Sequence, residues 1–406
     1  MSKRLRLFLS EYILSMGAYW VCTGFIIAKL TDYFQLPLGV SNLLTSLSST
    51  FLILQPVGGM LYARMRRKRR YLLSLNVIWR LSIVLVFFAV LLPRTSGAVL
   101  FCLLLLAMQA AQQICSPAYE AWHVQAAESE HCATFYTTRE VLLMLLYTIV
   151  MAAVQILISV SEHAGTLRNG FIAAGIIEGV LLVASLVLLP RLTPPDENAG
   201  SQPASLRAML GVLGDRNHTQ VICGNALWSF ANVFVGGLFS IYVVGVFKVD
   251  FIQVMIWGTV GNLLRMVFAP VFARIAARIG WKNCLADIFF VYAALAVLLY
   301  FSTPENAFWI VPVYLSFSSL PVSGISIGTL ELRIATSPAE LRSVYFSAYS
   351  LISGLASLIG TSLCSALLGM LETGALPLEI QDLFLIGLVL IALPYLTFRR
   401  LPVDLH

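Results

Sequence analysis

The stretch GMLYARMRRK, residues 59–68, has a counterpart later in the chain, ARIAARIGWK, residues 273–282. The two segments align without a gap and share an Ala-Arg pair and a final lysine at equivalent positions. Each segment is basic and follows a long apolar run. Any basic loop after a helix would look broadly similar, but equivalent loops at equivalent places favour an internal duplication.

Apolar runs occupy nearly all of the chain around these two segments. Hydrophobic residues make up 59% of the 406 residues and charged residues 11%, whereas soluble proteins carry about 25% charged residues. A run of about 20 apolar residues crosses the ~30 Å hydrocarbon layer as a helix. We therefore expect an all-α polytopic membrane protein with twelve transmembrane helices. The predicted spans are approximately 9–31, 43–62, 72–92, 98–120, 137–160, 169–190, 220–246, 251–273, 284–302, 307–330, 344–371 and 380–398.

The basic residues are distributed unevenly between the two predicted sides of the membrane. Of the 26 Lys and Arg residues, four lie in loops on one side, two lie inside spans, and the rest lie on the side that holds both termini. Lys and Arg are enriched in cytoplasmic loops. The pattern predicts a multi-pass protein of the cytoplasmic (plasma or inner) membrane with both termini in the cytoplasm. The net charge of +6 is then a topology signal, and no nucleic-acid partner is expected.

Residues 191–218 differ in composition from the other connections. They are rich in Pro, Gly, Asn and Ser and lie between the sixth and seventh predicted spans, which is typical of a linker. The predicted organisation is a six-helix transmembrane bundle at 1–190, a cytoplasmic linker at 191–218 and a second six-helix bundle at 219–406.

This layout and the repeated loop resemble the major facilitator superfamily, whose loop pattern is roughly G-x-L-x-D-R-x-G-R-K. Ala63 and Ala277 stand where the family has Asp. The resemblance implies two pseudo-symmetric six-helix bundles that rock around a central cavity, with a substrate site near the midplane. We predict that the loops stabilise one orientation of the halves through the basic residues Arg64, Lys68, Arg278 and Lys282. The matching positions are Gly59, Leu61, Arg64, Arg67 and Lys68 in the first copy, and Arg278, Gly280 and Lys282 in the second.

The fourth predicted span carries a polar face within LLAMQAAQQICSPAYEAWH, residues 105–123. At 100° per residue, its polar side chains share a stripe roughly 100° wide. Such a face should point into the protein or into water. It either lines a solute path or bonds packed helices together. The stripe consists of Gln109, Gln112, Gln113, Ser116, Glu120 and His123.

Three other spans show polar stripes at helical spacing, and these are the first, seventh and tenth. The resemblance implies that the first, fourth, seventh and tenth spans surround the cavity. Tyr19 and Trp228 add flat rings that would stack on a solute or simply pack. The stripes are Tyr12, Ser15, Tyr19 and Thr23; Asn225, Trp228, Ser229 and Asn232; and Ser316, Ser319, Ser323 and Ser326. The predicted substrate-binding residues are Tyr19, Gln109, Gln112, Gln113, Asn225, Trp228, Asn232 and Arg265.

Charged residues inside spans are functional candidates by default. Arg265 would bind an anionic group through its planar guanidinium, or it pairs with a buried carboxylate. Arg80 and Glu178 lie in peripheral spans and are predicted to form a scaffold ion pair with each other. Glu120 and Glu331 are candidates for proton coupling, with salt bridges to neighbouring basic residues as the alternative.

The function predicted from these features is secondary active transport of a small molecule. The alternative is a membrane sensor or ligand-binding protein of the same fold that does not transport. An enzyme is not expected, because no nucleophile–base pair and no phosphate-binding loop is recognisable. Neither a metal site nor a cofactor is predicted. We expect a monomer in the lipid bilayer, and the sequence leaves open the substrate, the direction of transport and the use of a coupling proton or cation.

Overall fold

The computed structural model describes residues 2–23, 25–36, 38–128, 135–193, 205–241, 251–372 and 379–400. Within these ranges the regular structure is entirely helical. The chain forms two compact units, one comprising Met1–Leu206 with Glu340–Ser347 and the other Arg207–Ala339 with Ala348–His406. The predicted all-α polytopic class is confirmed, whereas the boundaries predicted at residues 190 and 219 stay predictions.

The first unit is built on long helices that pack side by side. Helix α7 packs against α5 and α6, and α9 packs against α1, α6 and α8. This arrangement places α1, α6, α7, α8 and α9 around one interior. The helices are α1 Lys3–Val21, α2 Phe25–Tyr33, α3 Leu38–Thr45, α4 Leu47–Thr50, α5 Gln55–Arg64, α6 Lys68–Phe88, α7 Arg94–Glu128, α8 Phe135–His163 and α9 Leu167–Leu188.

The second unit follows the same scheme. Helix α12 packs against α13 and α15, and α11 packs against α15, as α6 packs against α7 and α9 and α1 packs against α9 in the first unit. Equivalent pairs in the two halves agree with the predicted duplication. The remaining helices are α10 Leu206–Gly211, α11 Arg216–Ile241, α12 Phe251–Tyr300, α13 Ala307–Ala335, α14 Arg342–Glu372 and α15 Ile380–Arg399.

Among the described residues, eight helices are long and apolar enough to cross a membrane, or nine if the pair formed by α1 and α2, bent by 43°, is one span. The difference from twelve has local causes. The eighth and ninth predicted spans are joined in α12, and the last residues of the seventh, 242–246, lie outside the described residues.

Helix α12 is too long to be one membrane-spanning helix. Its 50 residues would extend about 75 Å at 1.5 Å per residue. The break lies at Gly280, where φ is 79° and ψ is 151°. This backbone region is open essentially to glycine alone. Gly280 therefore divides α12 into two helices at the position of the second basic loop, as the sequence predicted.

The second predicted span is irregular over residues 46–56. These residues form the short α4, a 3₁₀ turn at Phe51–Leu54 and the start of α5, which has a proline in its first turn. The Thr50 hydroxyl donates to the Ser46 carbonyl at 3.1 Å. Ser and Thr side chains compete with backbone bonds, and Pro56 has no N–H to donate. These residue types explain the interruption.

The start of the predicted linker is bound to the first unit. The Trp122 indole donates to the Thr193 carbonyl at 2.9 Å, and Arg69 donates to the Pro190 carbonyl at 2.6 Å. The end of the linker is not irregular, because it contains α10, on which Met209 is buried. Residues 194–204 lie outside the described residues.

Candidate functional site: a buried polar cluster in the first unit

The centre of the first unit holds a carboxylate that the sequence pattern did not single out. Glu11 on α1 has no solvent exposure. One of its carboxylate oxygens accepts a hydrogen bond from the Arg80 guanidinium, and the other accepts from the Tyr119 hydroxyl. Arg80 is equally buried. The ion pair therefore joins α1 to α6, and Tyr119 adds α7 to the same contact.

The remaining contacts of Arg80 correct one prediction. Its guanidinium donates to Ser185 Oγ on α9 at 3.1 Å and to Asn76 Oδ1 at 2.9 Å. The predicted Arg80–Glu178 ion pair is wrong, because Glu11 occupies that role. Ser185 and Glu178 are seven residues apart on α9, which is about 10 Å along the helix.

His123 lies beside this ion pair inside an aromatic enclosure. Its Nε2 is 3.8 Å from a carboxylate oxygen of Glu11. The rings of Phe8, Tyr12 and Tyr119 surround the imidazole, with centroid distances of 5.2, 5.2 and 4.5 Å. Within the described part of the chain, neither imidazole nitrogen has a hydrogen-bond partner. His123 is thus a buried imidazole beside a buried carboxylate.

A second ion pair lies next to this enclosure. Both Nη atoms of Arg139, on α8, donate to Glu120 Oε1 at 3.2 Å. The same guanidinium lies over the Tyr12 ring, 4.4 Å from its centroid. Glu120 therefore has the salt bridge that the sequence offered as the alternative to proton coupling, and its coupling role stays a prediction.

Two of the three glutamines on α7 bond neighbouring helices. The Tyr19 hydroxyl donates to Gln109 Oε1 at 2.7 Å. Gln55 Nε2 donates to Gln113 Oε1 at 2.7 Å, and Gln113 Nε2 donates to the Ser48 carbonyl at 2.9 Å. The polar face points into the unit, because Gln109 and Gln113 are 1% and 5% exposed, whereas Leu103, about 120° around the helix from Gln109, is 59% exposed.

Gln112 differs from its two neighbours. Its side chain is 9% exposed, and its Oε1 has no hydrogen-bond partner among the residues that the structure describes. A buried acceptor without a partner is costly. Of the three glutamines, only Gln112 has an amide oxygen without a hydrogen-bond partner among the described residues.

In the second unit, the predicted residues of α11 are partly engaged. Asn225 Nδ2 donates to Ser353 Oγ at 2.8 Å. Trp228 packs against Phe289 and Tyr292, with centroid distances of 5.3 and 4.9 Å. Asn232, two turns after Asn225, is exposed. Sequence analysis did not single out Ser353, although Ser347, Ser350, Ser353 and Ser357 recur at helical spacing on one face of α14.

The other predicted residues of the second unit lie at its periphery or at intermediate depth. Arg265 and Glu331 are both half-buried. Arg333, two residues after Glu331, lies over the Tyr349 ring at 4.3 Å. Arg278 is exposed, and Lys282 is half-buried on the other side of Gly280.

The first basic loop resembles the second in that its arginine is more exposed than its lysine. Arg64 ends α5 and is exposed, whereas Lys68 begins α6 and is buried. The Lys68 ammonium lies 5.4 Å from the centroid of the Tyr62 ring. A cation–π contact contributes about 0.5–1 kcal/mol at exposed sites and about 2 kcal/mol when desolvated, so this one helps to fix the start of α6.

Comparisons with known proteins agree with this architecture. A bacterial homologue of the iron transporter ferroportin, solved in an outward-facing state, is 17% identical, with 99% of each chain covered and a TM-score of 0.68. The E. coli fucose:proton symporter FucP is 14% identical, with 97% of each chain covered and a TM-score of 0.68. The nucleoside transporter NupG is 12% identical over 98% of this chain and 99% of its own, with a TM-score of 0.60.

The TM-scores establish a shared fold in spite of the low sequence identity. A comparison with curated protein sequences found no match. The family model of the Major Facilitator Superfamily matches residues 8–361, which is most of the chain and includes both basic loops. The chain belongs to the major facilitator superfamily.

Proposed function

We propose that this protein is a secondary active transporter that moves a small solute across the cytoplasmic membrane. The family match over residues 8–361 carries the proposal. The similar structures are named as transporters of iron, of fucose with protons and of nucleosides. Because these solutes are chemically unrelated, the similarity supports transport and leaves the substrate class open. In this proposal, two six-helix halves alternate access to a central cavity.

The contacts in the first unit divide the predicted substrate-binding residues into two groups. Gln109 and Gln113 use their amide groups within the unit, and Tyr19 uses its hydroxyl there. Gln112 has a free amide oxygen among the described residues. We therefore propose Gln112 as the direct solute contact of α7, with the other three side chains holding it in place.

In the second unit, Asn232 and Arg265 are the proposed solute contacts. Asn232 is exposed and Arg265 is half-buried, so both are more accessible than Asn225, which donates to Ser353. A guanidinium would favour a solute with a carboxylate or phosphate group. Trp228 packs between rings and would shape the wall of the site.

The test begins with the purified protein and a defined panel of probes. L-fucose, uridine, an amino acid, a dicarboxylate and Fe²⁺ are screened for an increase in thermal stability, since a ligand that binds the folded state stabilises it. Each probe is then tested in liposomes for counterflow, in which unlabelled solute inside drives entry of labelled solute. We expect one probe class to give both effects. A probe that stabilises the protein without any counterflow would support the alternative, a non-transporting binding protein.

A further inference from the structure

Glu178 is a buried ionisable group near the centre of α9. It lies eleven residues from Leu167 and ten from Leu188, the two ends of α9, or about 15 Å from each at 1.5 Å per residue. This position is near the middle of a ~30 Å hydrocarbon layer. Its side chain has no solvent exposure.

Neither carboxylate oxygen of Glu178 has a hydrogen-bond partner among the described residues. The nearest basic candidate, Arg80, donates instead to Glu11 and Ser185. The face of α9 that carries Glu178 is otherwise apolar at this depth and packs closely on α6, since a Cβ on Gly175 would lie 2.7 Å from Phe87. The other buried residues of this face are Gly170, Phe171, Ala174, Gly175, Leu182 and Ser185.

The helices packed against α9 offer little to neutralise a charge. Helix α8 has no titratable side chain between residues 148 and 160. Arg80 on α6 is bound as described above, and on α1 the buried Glu11 is bound to it. The other titratable groups in the apolar part of α1 are neutral donors, namely Tyr12, Tyr19 and, just after the helix, Cys22.

An isolated carboxylate at mid-membrane depth is expensive, whereas the neutral acid avoids most of that cost. We propose that Glu178 is a proton-binding site, which holds its proton in the conformation described here and releases it when α9 moves and water reaches the carboxyl group. The reaction is a simple exchange of one proton between the carboxylic acid and water. Its use in coupling solute movement rests on the transport function proposed above.

Infrared spectroscopy tests the protonation without any substrate. The carbonyl stretch of a carboxylic acid is separate from the bands of a carboxylate and shifts in deuterium oxide. At neutral pH we expect this band in the unmodified protein and its loss in Glu178→Gln, which has nearly the same shape as the neutral acid and should fold. Glu162→Gln is the control, because Glu162 is 45% exposed and pairs with Lys29 at 2.6 Å. Identical spectra for the unmodified protein and Glu178→Gln would overturn the proposal.

Transport in liposomes tests the coupling, using whichever panel member gives counterflow. For one proton per solute, a gradient of one pH unit drives at most about tenfold accumulation. We expect Glu178→Gln to retain counterflow and to lose accumulation driven by the pH gradient. Full pH-driven accumulation in this variant, or loss of both activities, would reject the coupling role. Absence of counterflow in the unmodified protein would instead reject the proposed function, leaving the infrared result independent.

Discussion

The buried polar side chains of the first unit differ in whether they have a partner. Glu11, Gln109 and Gln113 have hydrogen bonds to neighbouring helices, so they contribute to assembly of the unit. Gln112 and Glu178 have unpartnered oxygens among the described residues. Since most buried polar groups in proteins are hydrogen-bonded, such exceptions, which also include the imidazole nitrogens of His123, are the residues at which a function other than packing is best sought.

The Glu11–Arg80 pair should be important for stability. Replacing Arg80 by Met leaves the Glu11 carboxylate without its cation in a fully buried position, and breaking a buried pair in this way costs about 3–5 kcal/mol. We expect a large fall in thermal stability in detergent. Combining Arg80→Met with Glu11→Leu should recover part of the loss, because no charge is then left unpaired.

The exposed pair Lys29–Glu162 is the matched control. Its side chains are 18% and 45% exposed, and exposed pairs contribute about 0–1 kcal/mol. Lys29→Met should therefore change stability little. If Arg80→Met costs no more than Lys29→Met, the buried pair does not hold α1 and α6 together.

Gln112 and Gln113 should respond differently to the same substitution. Gln113→Ala removes bonds to Gln55 and to the Ser48 carbonyl, so it should lower thermal stability by about 1–3 kcal/mol. Gln112→Ala should leave stability nearly unchanged and weaken binding of the transported probe by about 0.5–1.5 kcal/mol. Thermal unfolding and binding titrations on both variants separate the effects. Reduced stability with intact affinity in Gln112→Ala would remove α7 from the proposed site.

At the scale of elements, the basic loop of the second half depends on one glycine. Gly280 has a backbone conformation that other residues adopt only at a cost of about 1–3 kcal/mol. Gly280→Ala should therefore destabilise the junction within α12 by about that amount, measured by thermal unfolding. Gly258→Ala, in the same helix with open space around its Cβ position, should be neutral or slightly stabilising. Equal effects of the two substitutions would contradict the role given to Gly280.

The sequence was sufficient to predict that Gly280 lies at a junction, because a glycine in a basic segment between two apolar runs is typical of a break between helices. The sequence was not sufficient to predict the irregular backbone of the second span. There the continuous apolar run 43–62 predicted one regular helix, whereas the structure is irregular from Ser46 to Pro56. Hydropathy measures apolarity and is insensitive to backbone hydrogen bonds. The Ser48 carbonyl accepts from Gln113 on another helix, a long-range contact that no local pattern contains.

The same limit applies to the candidate site. The polar face of α7 was predicted correctly to point inward, because helical periodicity is a local property. The partner of Arg80 was predicted wrongly. Glu11 and Glu178 are both isolated acids in apolar runs, and only the packing of the helices decides which of them reaches the guanidinium.

At the scale of the whole molecule, equivalent helix pairs recur in the two units, yet their buried charges differ. The first unit contains two ion pairs in its interior, at Arg80 and Arg139. In the described part of the second unit no Asp, Glu, Lys or Arg side chain is buried to this extent, and Arg333 lies over the Tyr349 ring. If the two halves arose by the predicted duplication, they share the packing of their helices and differ in their buried charges.

The orientation of the molecule in the membrane is a prediction that follows from the charge asymmetry between its two sides. The test uses a background in which all seven cysteines are replaced. Single cysteines are then introduced at Gly214 and at Ala164, which are both exposed and are predicted to lie on opposite sides of the membrane. Gly214 lies in the predicted cytoplasmic linker, and Ala164 lies between α8 and α9. Basic loops are retained in the cytoplasm. We expect a membrane-impermeant maleimide to label Ala164→Cys in intact cells and Gly214→Cys only after the cells are broken. The reverse pattern would invert the topology, and labelling of both in intact cells would show that residues 164 and 214 lie on the same outer side.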